Sequence, residues 1–292
     1  MSTIVWPPIA PDELKKEEEA SLARELAWLL DSLQETLASL KSGLEDCYAL
    51  LAPIEPGSTL VVSSVRSETI KGHITRVGTR VVKGSLNLHL RTHPPLSLTL
   101  DHDHPILLQP LISLRNLLNQ SLDCVDIARW TGDKHSAQFI SSQLRLLHTI
   151  IAEANSLLRG PAPPVADETW THDPLDPASF DPPLPSSLSF DLSIQDASIV
   201  LVVRALEPAD AVPDLKSRLA FAIGAQRRLE HDEQDKDFSY LGQTVKVREK
   251  VRVDSADPSL MAAMAKLGAL EHSVAMARKS LSIVMREDVE DD

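Results

Sequence analysis

Aromatic residues are scarce in this sequence, and their scarcity narrows the fold classes that suit it. Phe, Trp and Tyr together supply 4% of the 292 residues, whereas 43% of residues are hydrophobic. Helices can pack on leucine, but an aromatic-rich β-sandwich or a carbohydrate-binding groove needs ring side chains. A chain of this length and hydrophobic content can bury one or two cores, and helix packing suits it best.

Cysteine is nearly absent as well. The two cysteines, Cys47 and Cys124, lie on predicted apolar helix faces, and neither belongs to a CxxC motif. We expect both to be reduced core thiols of a cytosolic protein. The sequence therefore predicts no disulfide, no metal site and no cofactor.

Long hydrophobic runs and a basic surplus are also missing. No stretch reaches about 18 uncharged apolar residues, and residues 1–11 do not combine a basic segment with an apolar run. We therefore expect any membrane association to be peripheral. The net charge of −13 argues against a general nucleic-acid binder, because phosphate contacts need a basic surface.

Motifs of common enzymes are absent too: the sequence contains no GxxxxGK[ST], GxSxG, HExxH or GxGxxG. His102 and His104 could act as metal ligands from one side of a strand, as in a metallohydrolase. However, no third ligand is evident, and acidic caps are expected at this strand-to-helix junction. Residues 231–237 combine an imidazole with several carboxylates, but their neighbours are polar, so we predict a solvated loop.

What the sequence does contain is four segments with the apolar spacing of amphipathic helices. The first, 12–51, would be about 60 Å long and needs partner helices along its length. The second follows Pro105 and ends at 130–132. The third is capped by Asp133 and ends at Gly160, and the last is capped by Asp257. The short turn between the second and third predicts antiparallel neighbours.

Short segments rich in Val, Ile, Thr and Leu predict antiparallel strands. They lie at 58–66, 70–77, 79–83, 85–91, 96–100, 188–194, 199–205 and 244–254. The predicted class is α+β. An antiparallel four-helix, coiled-coil-like bundle (12–52, 105–160 and 257–286) accompanies an antiparallel β domain (57–101 and 186–255), and both are discontinuous. Residues 161–185 are predicted to be a Pro-rich linker, and 207–237 a poorly ordered loop with one helical turn.

Positive charge is concentrated in the β domain. Residues 57–100 carry a balance of +5, so the rest of the chain carries −18. Lys246, Arg248, Lys250 and Arg252 alternate with other residues along one predicted strand, and we expect them to share one face. The candidate partner-binding residues are Arg66, Lys71, Arg76, Arg80, Lys83, Arg91, Lys246, Arg248, Lys250 and Arg252. They would dock an acidic partner or anionic lipid headgroups, unless they serve only to discourage edge pairing.

Several stretches resemble a known family along nearly the whole chain. They include GSTLVVSSVRSETIKGHITRVGTRVVKGSLNLHL, SLDCVDIARWTGD, SQLRLLHTIIAEANSLLRGP, FDPPLPSSLSFDLSIQDASIVLVVRALE and HDEQDKDFSYLGQTVKVREKVRVDSADPSLMAAMAKLGALEHS. The sequence is similar to the RAVE complex subunit 2/Rogdi family in its fungal form. That resemblance implies a non-enzymatic subunit that promotes assembly of the vacuolar proton-pumping ATPase. It transfers no catalytic motif.

The partners implied by the resemblance are a large, propeller-containing RAVE subunit related to DmX-like proteins, a Skp-type adaptor and subunits of the V-ATPase. The expected location is the cytoplasm, with peripheral association to vacuolar or endosomal membranes. Two other function classes remain open. A coiled-coil tether or scaffold in vesicle traffic would share the long helices, and a metallohydrolase would use residues 101–104.

Overall fold

The structure is a computed structural model that describes residues 9–65, 68–161, 169–209, 231–234 and 236–286. The chain divides into two compact units, each assembled from separate parts of the sequence. The helical unit comprises Met1–Tyr48, Asn116–Asn155 and Ala265–Asp292, and the sheet unit comprises Ala49–Arg115 and Ser156–Met264. The described part contains five α-helices and two antiparallel sheets, which confirms the predicted α+β class.

Four of the helices are long and match the four amphipathic segments. They are α1 (Pro11–Leu50), α2 (Gln109–Asp126), α3 (Ala137–Arg159) and α5 (Pro258–Met285), while α4 (Thr169–His172) is a single turn. A π-helical turn, Ile127–Thr131, follows α2. Within the helical unit, Lys41 of α1 pairs with Asp126 of α2 at 2.7 Å. Asn155 of α3 donates to Glu271 of α5 at 2.8 Å.

The helix caps explain where α3 and α5 begin. At α5, the Asp257 carboxylate accepts from the backbone N–H groups of Ser259 and Leu260, so the predicted cap is confirmed. At α3, the predicted cap was three residues early, because the hydroxyl of Ser136 accepts from the N–H of Phe139. Asp133 instead accepts from the N–H of His135 in the preceding turn.

The start of α2 also differs from the prediction. Residues Ile106–Leu107, directly after Pro105, form the short strand β5 and pair with β3. The helix begins only at Gln109. A proline is compatible with the first turn of a helix, but it is equally compatible with the start of a strand, and the pairing partner decides between them.

The first sheet has the order β1-β2-β3-β4-β6, with β5 beside β3. Its strands are β1 (Ser58–Ser63), β2 (Ile70–Val77), β3 (Arg80–Leu88), β4 (Leu96–Leu100), β5 and β6 (Phe180–Asp181). The predicted strands 79–83 and 85–91 are one strand. Gly84, which separates the two predicted segments, lies inside β3, where an added Cβ would meet Leu100 Cδ1 at 2.8 Å.

The second sheet has the order β7-β8-β10-β9 and supplies much of the core of the sheet unit. Its strands are β7 (Leu188–Gln195), β8 (Ser198–Pro208), β9 (Asp237–Tyr240) and β10 (Gln243–Ala256). The two sheets are joined by side chains of β10. Ser255 donates to the carbonyl of Val61, and Glu249 accepts from the N–H groups of Arg91 and Thr92.

Part of the predicted Pro-rich linker is folded onto the sheets. Trp170 in α4 is buried against Phe238 and Tyr240 of β9, with ring centroids 5.2 and 5.5 Å apart. Phe180 in β6 packs on Phe190 of β7. The description of 161–185 as an extended linker is therefore wrong for residues 169–185, because two buried aromatic rings hold them in place.

Candidate partner-binding surface

A β-bulge decides where the cations of β10 point. Val247 pairs with Leu206 of β8, and Lys250 pairs with Arg204. Since Leu206 and Arg204 are two residues apart, Val247 and Lys250 lie on the same face of the sheet. The extra residue between Val247 and Glu249 shifts the register, so Lys246 lies on the opposite face from Lys250.

The expectation that Lys246, Arg248, Lys250 and Arg252 share one face is therefore wrong. Basic residues occupy every second position in the sequence straight through the bulge. The bulge, however, shifts the pairing with β8 by one residue, so the side chains before and after it point to opposite faces. Lys246 and Arg248 pair with Asp237 and Glu207, respectively. The strand register places Asp237, Glu207 and Lys246 on the face of the sheet that points away from Trp170.

The other two cations of β10 also have acidic partners in the chain. Lys250 Nζ lies 2.8 Å from Asp232 Oδ1 and 2.6 Å from Glu233 Oε1. Arg252 Nε lies 3.0 Å from Asp254 Oδ1, and its Nη2 donates to Gln195. All four β10 cations are thus close to carboxylates, which reduces the net charge that they present to a partner.

Arg76 does not belong to an exposed surface. Its side chain is 3% exposed, and its Nε lies 2.6 Å from Asp257 Oδ2, the carboxylate that also caps α5. Arg76 Nη1 donates to the carbonyl of Gly78. A guanidinium held in this way connects β2 to the start of α5, so it has a structural role in the sheet unit.

Three cations of the first sheet do share an exposed face. Lys71 lies opposite Asn87, and Asn87 is four residues from Lys83 on β3, so Lys71 and Lys83 are on the same side. Arg80 joins them, because it pairs with Val77, two residues after the partner of Lys83 on β2. We call Lys71, Arg80 and Lys83 the basic surface. All three are exposed, and none forms an ion pair with a described residue.

Two further predicted cations are placed differently. Arg91 is exposed just beyond β3, and its backbone N–H is bound by Glu249. Arg66 lies outside the described residues. The structure therefore groups three of the ten candidate residues on one face, and the role of these residues in binding stays a prediction.

A buried charged cluster lies on the second sheet, and it was not predicted from the sequence. Arg204 of β8 is 2% exposed, lies 4.6 Å over the Trp170 ring and pairs with Glu233 through Nε at 2.8 Å. Lys250 contacts the same carboxylate. We call Trp170, Arg204, Glu233 and Lys250 the Arg204 cluster. One signal was visible: Arg204 is a lone charge inside an otherwise apolar predicted strand.

The cluster also corrects the prediction for residues 231–237, because Glu233 is buried. Burial raises the pKa of Glu233, but hydrogen bonds from Arg204 and Lys250 outweigh it and leave the pKa below its usual value. Asp232 is more exposed, and the hydrogen bond from Lys250 lowers its pKa. Glu233 is thus held as a carboxylate, as a structural ion pair requires.

The Asp101–His104 segment forms a local contact. His104 Nδ1 lies 2.7 Å from Asp101 Oδ2, and this hydrogen bond raises the pKa of His104 and lowers that of Asp101. Both side chains are exposed. Among the described residues, no group of three His, Cys, Asp or Glu side chains is arranged to hold a metal ion.

Two shallow cavities open on the sheet unit, and neither concentrates reactive groups. One, of about 300 Å³, is lined by Ser58, Arg76 and Ser259 among others; a second, of about 290 Å³, includes Glu55, Arg80 and His102.

Burial raises the pKa of both Cys47 and Cys124 to about 11, so both remain thiols. Within the described ranges, no helix is long and apolar enough to cross a membrane.

Comparison with known proteins identifies a matching family and a curated relative. Residues 25–282 match the family described as Rogdi leucine zipper containing protein. The chain is also 25% identical, over 290 residues, to "Regulator of V-ATPase in vacuolar membrane protein 2" of Schizosaccharomyces pombe. That match covers 89% of this chain and 94% of the relative. The resemblance seen in the sequence is confirmed, and the chain belongs to the Rogdi leucine zipper family.

Proposed function

We propose that this protein is a non-enzymatic subunit of a RAVE-type complex and promotes assembly of the vacuolar or endosomal proton-pumping ATPase by binding other proteins. The observation that carries the proposal is the likeness over 89% of the chain to a relative named as a regulator of the V-ATPase. Family membership over residues 25–282 supports it. The proposed location is cytoplasmic, at the surface of vacuolar or endosomal membranes.

The basic surface supports a binding role. Lys71, Arg80 and Lys83 are exposed on one face and have no carboxylate partner in the described part of the chain, whereas each β10 cation does. Cations without internal partners keep their attraction for an external anion. We assign this surface to an acidic patch on a protein of the complex. The candidates are the large propeller-containing subunit, the Skp-type adaptor and the V-ATPase subunits.

The helical unit is proposed to be a four-helix bundle that acts as a rigid scaffold. Contacts support neighbouring positions for α1 and α2, for α2 and α3, for α3 and α5, and for α1 and α5. Four such neighbours close a ring, which is the arrangement of an antiparallel bundle. A scaffold of this kind needs no catalytic group.

Two alternatives make different predictions. A tether in vesicle traffic would use the long helices but would not need the basic surface. A metallohydrolase would need a bound metal ion at Asp101–His104, where the exposed His104 is already engaged by Asp101. A purified sample that holds one equivalent of zinc or manganese per chain would favour the hydrolase over the scaffold.

Affinity purification of the tagged chain from its own cells tests the proposal. We expect V-ATPase subunits and the propeller-containing subunit to be recovered together. Cells without the protein should show reduced vacuolar acidification, measured with a ratiometric pH dye. Recovery of vesicle-tethering proteins without any pump subunit, together with normal acidification, would contradict the proposal.

A further inference from the structure

A histidine lies in the middle of the basic surface. His73 of β2 is two residues after Lys71, and it pairs with Ser85, which is two residues from Lys83 on β3. Side chains two residues apart along a strand point to the same face, so His73 lies between Lys71 and Lys83. The imidazole is exposed, as the two lysines are.

A second histidine continues the same line. The N–H of His89, just after β3, donates to the carbonyl of Thr69, two residues before Lys71. This register places the exposed His89 beyond Lys71 on the same face. At the other end, Arg80 pairs with Val77. The five basic side chains thus follow eight residues of β2, a length of about 26 Å.

The strands on either side bring no carboxylate to His73. The side chains next to it are Thr59, Val61 and Ser63 of β1, and Lys83, Ser85 and Asn87 of β3. Along β2, Lys71 and Thr75 flank it. Beyond β1, Asp254 of β10 is paired with Arg252. Among the described residues, His73 is therefore bordered by lysines and uncharged groups.

The carboxylates on this side of the sheet lie at the margins of the line. Glu68 is next in sequence to the residue that pairs with His89, and Glu55 lines the same small cavity as Arg80. Asp181 faces the same side, but it is on β6, three strands and about 14 Å from β2. That distance exceeds the screening length of about 8 Å at physiological ionic strength. The middle of the line is thus its most positive part.

We propose that protonation of His73 and His89 strengthens the capture of an acidic segment of a partner protein by the basic surface. Imidazole is the side chain that changes its charge between about pH 5 and 8, so the line can gain two charges beside its three permanent ones. A carboxylate placed over the line favours the charged imidazole. The complex therefore takes up protons as it forms, and by linkage its affinity rises as the pH falls.

The composition of the face favours a protein segment over a lipid surface. Recognition of anionic lipids by basic clusters uses about four to eight Lys or Arg residues, whereas this line holds three. The rest of the face carries hydroxyl and amide groups, such as Ser63, Asn87 and Ser97, which can donate to carboxylates. Membrane interfaces are instead contacted by Trp and Tyr.

This inference rests on the proposed function, because the acidic segment belongs to a protein of the assembly. It gives that function a signal. A fall in cytoplasmic pH would strengthen binding to the machinery of a pump that removes protons from the cytoplasm.

Fluorescence anisotropy of the full chain with a rhodamine-labelled octaglutamate peptide tests the inference. Glutamate stays ionised between pH 8 and 5.5, so a change in affinity reports the protein. At low salt the Kd at pH 5.5 should be about 5-fold lower than at pH 8, because each new charge about 7 Å from a carboxylate contributes roughly 3-fold in water. An equal Kd at both pH values would overturn the inference.

Variants with fixed charge identify the groups that respond. His73→Gln/His89→Gln should keep the wild-type Kd of pH 8 at both pH values. His73→Lys/His89→Lys should bind at both pH values as tightly as wild type does at pH 5.5, which a misfolded protein cannot do. His135→Gln/His272→Gln is the matched control, because it removes two exposed histidines of the helical unit. A glutamine variant that keeps the pH dependence, or a control that loses it, would contradict the assignment.

Two other occupants are tested alongside. Vesicles with phosphatidylserine that bind where the peptide does not would assign the line to lipid, and dimerisation at pH 5.5 in sedimentation would assign it to a second copy. Either result overturns the inference. Affinity purification at pH 8 and pH 6 separates it from the proposed function. If no pump subunit is recovered at either pH, the proposed function fails; equal recovery at both shows that only the control by pH is wrong.

Discussion

At the scale of single residues, Arg204 shows how the sheet unit tolerates a buried charge. A buried guanidinium is costly unless its charge and its donors are matched. Glu233 accepts from Arg204 Nε at 2.8 Å and from Nη2 at 3.1 Å, and the guanidinium stacks over the Trp170 ring. The buried Nη1 has no hydrogen-bond partner among the described residues, so the match is incomplete. The cluster joins three distant parts of the chain, so its stability contribution depends on the fold being complete.

Replacing Glu233 should therefore destabilise the protein. Glu233→Gln leaves Arg204 buried without a counter-charge, and we expect a loss of about 3 kcal/mol in the free energy of unfolding. Asp232→Asn is the control, since Asp232 is exposed and contacts only Lys250 among the cations; it should cost less than about 1 kcal/mol. Chemical denaturation of the three proteins measures both values. If both variants lose the same free energy of unfolding, the buried Arg204–Glu233 pair stabilises the protein no more than an exposed pair does.

Glu233 should also make the stability of the protein depend on pH. The folded pKa of Glu233 lies below its usual value of 4.5, so its contribution to stability is present above that value. The contribution is lost as the pH falls through the folded pKa. The stability difference between wild type and Glu233→Gln should thus be constant at neutral pH and shrink below about pH 4.5. A difference that already shrinks between pH 8 and 6 would contradict this assignment.

His104 offers a test at an exposed site. Its hydrogen bond with Asp101 raises the pKa above the usual 6.5, so the charged imidazole should persist to higher pH than in other exposed histidines. NMR titration of the ring protons measures this pKa. In Asp101→Asn the pKa should return towards 6.5. A wild-type pKa at or below 6.5 would show that the contact does not form in solution.

At the scale of elements, packing of α3 should decide whether the helical unit folds. Leu147 is 1% exposed, whereas its neighbour Leu146 is 50% exposed. Leu147→Asp buries an unpaired carboxylate at a cost of several kcal/mol, which is comparable with the stability of a domain. We expect circular dichroism to show loss of helix or a large fall in Tm.

Leu146→Asp is the matched control for this variant, because it introduces the same side chain one position away. It should leave the Tm within a few degrees of wild type. If both variants behave like wild type, α3 does not pack on the other helices in the way that the four-helix bundle requires.

At the scale of the whole molecule, charge is unevenly distributed: the chain carries a net charge of −13, yet Lys71, Arg80 and Lys83 form a basic surface. Lys71→Glu/Lys83→Glu should abolish capture of the acidic partner while changing the Tm little, because exposed charges contribute little to stability. Lys134→Glu/Arg145→Glu changes the net charge equally at exposed positions of the helical unit and should bind normally.

Binding of the wild-type chain should also weaken with salt, since the range of attraction is about 8 Å at physiological ionic strength. A pull-down at two salt concentrations, beside a thermal melt, measures these effects. Loss of binding to anionic vesicles instead of protein would assign the surface to lipid headgroups. A folded double mutant that captures the partner with wild-type salt sensitivity would contradict a docking role.

The sequence by itself determined the helices, most strands and the α+β class, because these follow from local periodicity and caps. The spacing of leucines predicted all four long helices, and Asp257 was identified as a cap from its position alone. The family likeness was also readable from the residues. Such features depend on residues within a few positions of one another in the sequence. The sequence of a single chain therefore contains all the information needed to predict them.

Only the tertiary structure decided which charges are available. The bulge between Val247 and Glu249 moved Lys246 to the opposite face from Lys250, and pairing with Asp257 buried Arg76. Trp170 and Glu233 became core residues through contact with Arg204, far away in the sequence. A bulge depends on the partner strand, and an ion pair depends on two distant segments meeting. The alternation of residues along one strand contains neither piece of information.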